Sequence, residues 1–231
     1  MRGINRNWIL DTGYWILESR IKNLGSILSL LLLWACAFAA PLGVLWSCQP
    51  QEKPNLSLMS AEQRKAALLK QLDQKFENPD VHFELGQLYQ AQSQWAEAER
   101  RYDIAIRFDP AHRRAQAAMV KVLANSGDTA KAEQYAKAYM NQASNSAMAS
   151  LQLAQAFDKQ DLDDYALACY QQALRVAPDS PEVNKQVGYY YLNNNDKTRA
   201  KDYLSRSFQL NPNQPDVAGE LGRLGVVVKI P

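Results

Sequence analysis

The sequence predicts an all-α solenoid of stacked helix–turn–helix units, preceded by a membrane-spanning or signal helix. Three observations predict it. Small residues and prolines recur with a period of 34: Ala98, Ala132, Ala166 and Ala200 keep it throughout, and Gly86, Gly188, Gly222, Pro110, Pro178 and Pro212 fall on multiples of it. A fixed period of this length marks supersecondary units that shield one another's apolar faces. Within a unit, Val81, Leu85, Leu88 and Tyr89 lie on one stripe and Ala98, Tyr102, Ala105 and Ile106 on another, at the three-and-four spacing of a helix face. Lastly, no charged residue occurs between Lys22 and Glu52.

The first element is residues 1–25, where Arg2, Arg6, Arg20 and Lys22 outweigh Asp11 and Glu18. Residues 26–48 follow as the apolar segment. Its residues 27–48 would reach about 33 Å as a helix, enough for the roughly 30 Å hydrocarbon layer. Arg20 and Lys22 stand immediately before it, which places the N-terminus in the cytoplasm and the rest of the chain outside. Leu45-Trp46-Ser47-Cys48 resembles the lipobox of bacterial lipoproteins, in which cleavage precedes a cysteine whose sulfur carries a diacylglyceryl group. Trp46 departs from the smaller residue usual there, and the leader is long. Three fates are open: lipidation at Cys48, retention as an anchoring helix, and removal by ordinary cleavage.

Residues 49–58 are a polar linker with two prolines, suited to holding a domain clear of a bilayer. A capping helix is expected over 59–78, with Ser60 and Gln63 in capping-box spacing and Leu68, Leu72 and Phe76 on one face. Four units then occupy 79–112, 113–146, 147–180 and 181–214, with turn-prone stretches such as "ANSGDT" and "NNNDKT" between their two helices. Asn78-Pro79, Ser180-Pro181 and Gln214-Pro215 put proline at a helix start, where its missing N–H costs nothing. A lone helix over 215–225 closes the stack, and 226–231, "VVVKIP", reads as an extended tail that packs locally or adds to a partner's sheet edge.

These units resemble tetratricopeptide repeats. The first fills seven of that family's eight signature positions, through Leu85, Gly86, Tyr89, Ala98, Tyr102, Ala105 and Pro110. The third matches through Leu153, Ala154, Phe157, Ala166, Tyr170, Ala173 and Pro178, and the fourth through Val187, Gly188, Tyr191, Ala200, Leu204, Ser207 and Pro212. The second keeps Met119, Leu123 and Ala132 but departs at Val120, Ala136 and Ser144, a degenerate unit in unbroken spacing. The resemblance implies a right-handed superhelix with a concave groove lined by the first helix of each unit. Its central groove positions fall on Phe83, Gln87, Ala117, Lys121, Leu151, Gln155, Lys185 and Tyr189. The subset of the family that grips acidic C-termini of chaperones wants Lys and Asn where Phe83 and Gln87 stand, so that activity is not implied.

Charge and chemistry narrow the function further. After Cys48 the chain carries equal numbers of basic and acidic residues, interspersed, which offers no footprint for nucleic acid. Cys36, Cys48 and Cys169 cannot build a disulfide framework or a zinc site. His82 and His112 lack further ligands nearby in sequence, and His82 sits where a packing aromatic belongs. No catalytic, cofactor or metal residue is assigned; the one attached group considered is a lipid on Cys48. The expected function is a non-enzymatic, membrane-anchored scaffold of a bacterial envelope, with its repeats extracytoplasmic (periplasmic), on the inner or the outer membrane. It would present a groove to protein or peptide segments, as in pilus or secretion-type assembly. Two alternatives stand beside it: a cytoplasm-facing adaptor recruiting chaperones or enzymes, and a structural spacer within a larger membrane complex.

Overall fold

The structure, a computed structural model, describes residues 59–228. The expectations for 1–25, for the apolar segment with Cys48 and for the linker lie outside the described residues, as do the last three positions. No helix among the described residues is long and apolar enough to cross a membrane. The described residues form ten helices and no strand: α1 (Ala61–Gln74), α2 (Pro79–Ala91), α3 (Trp95–Phe108), α4 (Arg113–Asn125), α5 (Thr129–Ala143), α6 (Ala147–Asp158), α7 (Asp163–Val176), α8 (Pro181–Asn193), α9 (Lys197–Leu210) and α10 (Pro215–Arg223).

Each unit is an antiparallel pair, α2 with α3 and so on to α8 with α9, and the first helices also pack on one another in the order α2, α4, α6, α8. The capping chemistry is as periodic as the packing. Asn78, His112, Ser146 and Ser180, 34 apart, each accept the backbone N–H three residues on, at 3.0–3.4 Å. Such caps satisfy donors that the first turn leaves orphaned. Between the helices of every unit one residue adopts positive φ: Ser93, Gly127, Asp161 and Asn195. Only at Gly127 is that conformation free of a Cβ penalty. The next amide but one after each turn residue's predecessor then reaches back to the first helix, as in Asp128 N–H to Leu123 O at 3.0 Å and Asp196 N–H to Tyr191 O at 2.9 Å.

The close approach of paired helices depends on a small residue facing a large one. A Cβ on Gly86 would lie 2.4 Å from the Tyr102 ring, and one on Gly188 would lie 2.7 Å from Leu204. In the degenerate second unit the sizes are exchanged: Val120 occupies the glycine position and Ala136 the large one, and both are fully buried. Volume is conserved, so the unit packs despite its departures.

Two terminal elements differ from expectation. The first helix ends at Gln74 rather than 78, because Lys75 turns extended at φ −147°, ψ 92°. Leu68 and Leu72 are therefore buried, while Phe76 leaves their face, stays largely exposed, and meets the His82 ring edge-on at 5.0 Å. The capping box of Ser60 and Gln63 is present. The last helix ends at Arg223, followed by Gly225 at φ +78°. Beyond it Val226 and Val228 pack against Leu204, Phe208 and Leu221, while Val227 between them faces solvent, the alternation of a locally packed extended segment.

A second series is polar and buried. His82, Gln116, Ser150 and Asn184 share the fourth position of their units and are all enclosed. Each bonds a backbone carbonyl before its own helix: Phe76 O at 2.9 Å, Pro110 O at 2.7 Å, Ala143 O at 3.1 Å and Pro178 O at 2.8 Å. These bonds tie each first helix to the turn that joins it to the preceding unit. For His82 the carbonyl can only accept, so Nε2 carries the proton and the enclosed Nδ1 has no partner. Burial holds its pKa below the ordinary imidazole value, with the bond to Phe76 opposing and Arg101 assisting. Neutral His82 therefore supports the fold fully above pH about 6.5, and that support is lost as pH falls toward the lowered folded value. We expect the wild type to lose more thermal stability between pH 7.5 and pH 5 than His82→Gln, which copies Gln116. Equal losses would remove His82 from the acid response.

Candidate partner-binding groove

The stacked first helices carry three neighbouring cavities of about 330, 300 and 300 Å³, and Lys159 at the end of α6 borders all three. The second lies among Phe83, Gln87, Arg114, Ala156, Lys159 and Gln160. The first shares Arg114, Ala156 and Lys159 with it and adds Asp80, Asp109, His112, Arg113 and Gln152, while the third includes Asp158, Gln186, Tyr189, Tyr190 and Asn193. Contributions thus come from all four units, which makes this a continuous groove rather than a pocket of one hairpin.

The sequence-predicted groove residues divide into three groups. Gln87 and Gln155 do border cavities, Gln155 while donating to Gln186 at 2.9 Å. Tyr189, the one of three successive tyrosines that is not buried, borders the third cavity, and its hydroxyl donates to Asp216 at 3.4 Å. Burial, reinforced by Asp216, pushes that phenol up to about 12. Phe83, Ala117 and Leu151, expected on the open surface, are instead almost wholly enclosed. Phe83 forms a cavity floor: the Arg114 guanidinium lies 4.3 Å above its ring centre, with His112 and Tyr102 packed beside it. Leu151 is covered because α6 is packed on both α4 and α8. Lys121 and Lys185 border none of the three cavities. Lys121 approaches Asp161 at 3.9 Å, and Lys185 sits 3.1 Å from Glu182 and 3.8 Å from Asp216.

Sequence reasoning missed Lys159 and Gln160, and placed Arg114 at a groove position by the resemblance without singling it out. Arg114 stands at the second position of its unit, and Lys159 and Gln160 fall in a turn, outside the central helix positions that the resemblance singles out. Gln160 also clasps the groove. Gln90 donates to it at 3.2 Å across 70 residues of chain, and the Tyr102 hydroxyl donates to Gln90 at 2.6 Å. One unit is thereby tied to the next but one over the intervening helix α4.

The titratable side chains His112 and Cys169 are held in structural contacts. His112 accepts the Ala115 N–H at Nδ1, so its Nε2–H donates to Asp80 at 3.3 Å, and neither nitrogen is left for catalysis. Cys169 is fully buried and burial pushes its thiol up to about 12, which removes thiolate reactivity. Among the described residues no group of three or more His, Cys, Asp or Glu could hold a metal ion. What the lining offers is amides, phenols, cations and carboxylates, groups that can meet a peptide backbone and its side chains.

A family model described as tetratricopeptide repeat matches residues 83–147, and a second of the same description matches 186–214. The matches to tetratricopeptide repeats thus fall on the first two units and on the fourth. Human protein O-mannosyl-transferase TMTC1 is 26% identical over 145 residues, 60% of this chain and 16% of that protein, so the chain spans only a small part of this relative. Among solved structures, pilF of Pseudomonas aeruginosa is 24% identical with a TM-score of 0.36, covering 63% of this chain and 67% of that one. YrrB, described as a TPR protein with an unusual peptide-binding site, is 16% identical with a TM-score of 0.37, covering 71% and 84%. MamA from Desulfovibrio magneticus RS-1 is 18% identical with a TM-score of 0.37, covering 69% and 90%. The repeats matched at 83–147 and 186–214 are of a kind associated with protein–protein contacts.

Proposed function

We propose that the chain is a non-enzymatic scaffold that holds an extended segment of a partner protein in the groove of its repeats, tethered to a membrane by its N-terminal segment. The observation that carries the binding role is the run of three cavities around Lys159, bordered by all four units. An extended peptide rises about 3.3 Å per residue, so a short segment could engage several units at once. The tether rests on the uncharged run between Lys22 and Glu52, and the outward orientation rests on Arg20 and Lys22 before it. A lipid on Cys48 would serve the same end. Assembly of an envelope complex such as a pilus or secretion pore is the biological setting this arrangement suits.

A single experiment tests groove and orientation together. Gln87→Cys and, on the exposed side of α9, Lys201→Cys are loaded with a membrane-impermeant photo-crosslinker applied to spheroplasts. The expected result is labelling of both and capture of a partner from position 87 alone. Absence of labelling would place the repeats on the cytoplasmic side, and equal capture from both positions would remove the groove from the account.

A further inference from the structure

We infer that the groove takes a segment carrying one isolated acidic residue, its carboxylate seated in the second cavity between Arg114 and Lys159. The inference rests on the groove reading above and adds the chemistry of the occupant. Six residues border that cavity: two cations, two amides, an aromatic floor and an alanine, with no carboxylate among them. Neither Arg114 nor Lys159 forms an ion pair among the described residues, whereas Lys121 and Lys185 are taken by acids of the fold itself. Of these four cations, the two without an acidic partner are the two that border this cavity.

Geometry favours a carboxylate there. The Arg114 guanidinium carbon lies 4.3 Å over the Phe83 ring centre, a cation–π contact that holds the group at the cavity while its N–H donors suit a planar, bidentate acceptor. Gln87 and Gln160 can donate to the remaining lone pairs. Helix α4 also begins beside the cavity with Arg113 and Arg114 in its first turn and no acidic residue there. Two cations at the positive end of a helix are unfavourable, and Asp109 offsets this at Arg113, while Arg114 has no ion-pair partner among the described residues. Arg113 supports this from the neighbouring cavity: its Nε is enclosed without a hydrogen-bond partner, and burial lowers its pKa.

The flanks restrict the ligand further. Asp80 and Asp109 border the first cavity, occupied with His112 and with the Ala111 N–H, and Asp158 borders the third, its pKa raised by burial and then by Asp163 and Asp161. A second acid beside the first would meet these carboxylates. The occupant therefore carries an isolated acidic residue flanked by neutral or basic ones, rather than an acidic run.

Random dodecapeptides displayed on phage and selected on the purified full-length chain test this directly. Selected peptides should share a single Asp or Glu at a fixed position, and changing it to Asn or Gln in the synthetic peptide should weaken binding about tenfold or more. Lys159→Gln, at an exposed site, should produce a similar loss with an unchanged thermal melt, and Arg114→Gln combined with it should abolish the acidic preference. Selection of peptides without an acidic position would overturn this inference while leaving the groove reading intact. Failure to select any peptide would sink both. Displacement of the selected peptide by phosphatidylglycerol vesicles would make the occupant a lipid surface, and would also overturn it.

Discussion

Tyr102→Ala is expected to lower the unfolding free energy by about 3–5 kcal/mol, and Gly86→Val by about 1–3 kcal/mol, yet the double variant should recover a substantial part of the combined loss. Tyr102 is fully enclosed, so its removal leaves a void, and its hydroxyl no longer reaches Gln90. A valine at 86 would drive its Cβ to 2.4 Å from the intact ring, which has no room to withdraw. Together the changes exchange a large and a small side chain across one contact. The second unit already has that arrangement, since Val120 and Ala136 hold the equivalent positions and are both fully buried. Recovery will be incomplete because Gln90 still loses a donor. Urea melts of all four proteins give the coupling energy. Strict additivity would show that the two positions do not share a packing unit.

This compensation marks where the sequence was legible and where it was not. The period of 34 could be read because Gly, Ala and Pro each answer a steric demand that few other residues meet, so they recur by necessity at close contacts and helix ends. Val120 and Ala136 look like losses when each is scored alone and make sense only as a pair. The fourth-position series was harder still. His82, Gln116, Ser150 and Asn184 belong to no common residue class and share only a donor group that reaches a carbonyl in the preceding turn. His82 was readable as a packing residue, but the bond that accompanies its packing was not.

The groove was legible by position and not by chemistry. Central first-helix positions include Gln87, Gln155 and Tyr189, which border cavities, and Phe83, which does so only as an enclosed floor, but also Leu151, which neighbouring units cover. Which side chain covers which depends on how adjacent units are rotated, and no single unit encodes that. Arg114 and Lys159 both border two of the cavities because α4 and the end of α6 converge there, 45 residues apart in sequence. Only the stacked structure shows that these cations lack partners while Lys121 and Lys185 have them.

Gln116→Leu is expected to cost about 3 kcal/mol, the sum of one or two unsatisfied buried groups at 1–3 kcal/mol each less a small gain in apolar burial. Gln116 is fully enclosed and donates to Pro110 O at 2.7 Å and to Gln142 at 2.8 Å, while accepting from Arg113 at 2.9 Å. Leucine fills nearly the same volume but supplies none of these bonds. Gln142 still donates to Pro110 O at 3.2 Å, which sets a limit to the loss. Gln116→His should retain more stability, because His82 makes the corresponding bond in the first unit. The effect should also reach the groove. Arg113 adjoins Arg114, so loosening the start of α4 displaces the guanidinium that rests on Phe83. At a temperature where Gln116→Leu remains folded, a groove-selected peptide should therefore bind it more weakly than wild type. Wild-type stability together with wild-type binding would mean that the buried polar series merely fills space, and that the spacing of Arg114 and Lys159 is set by apolar packing alone.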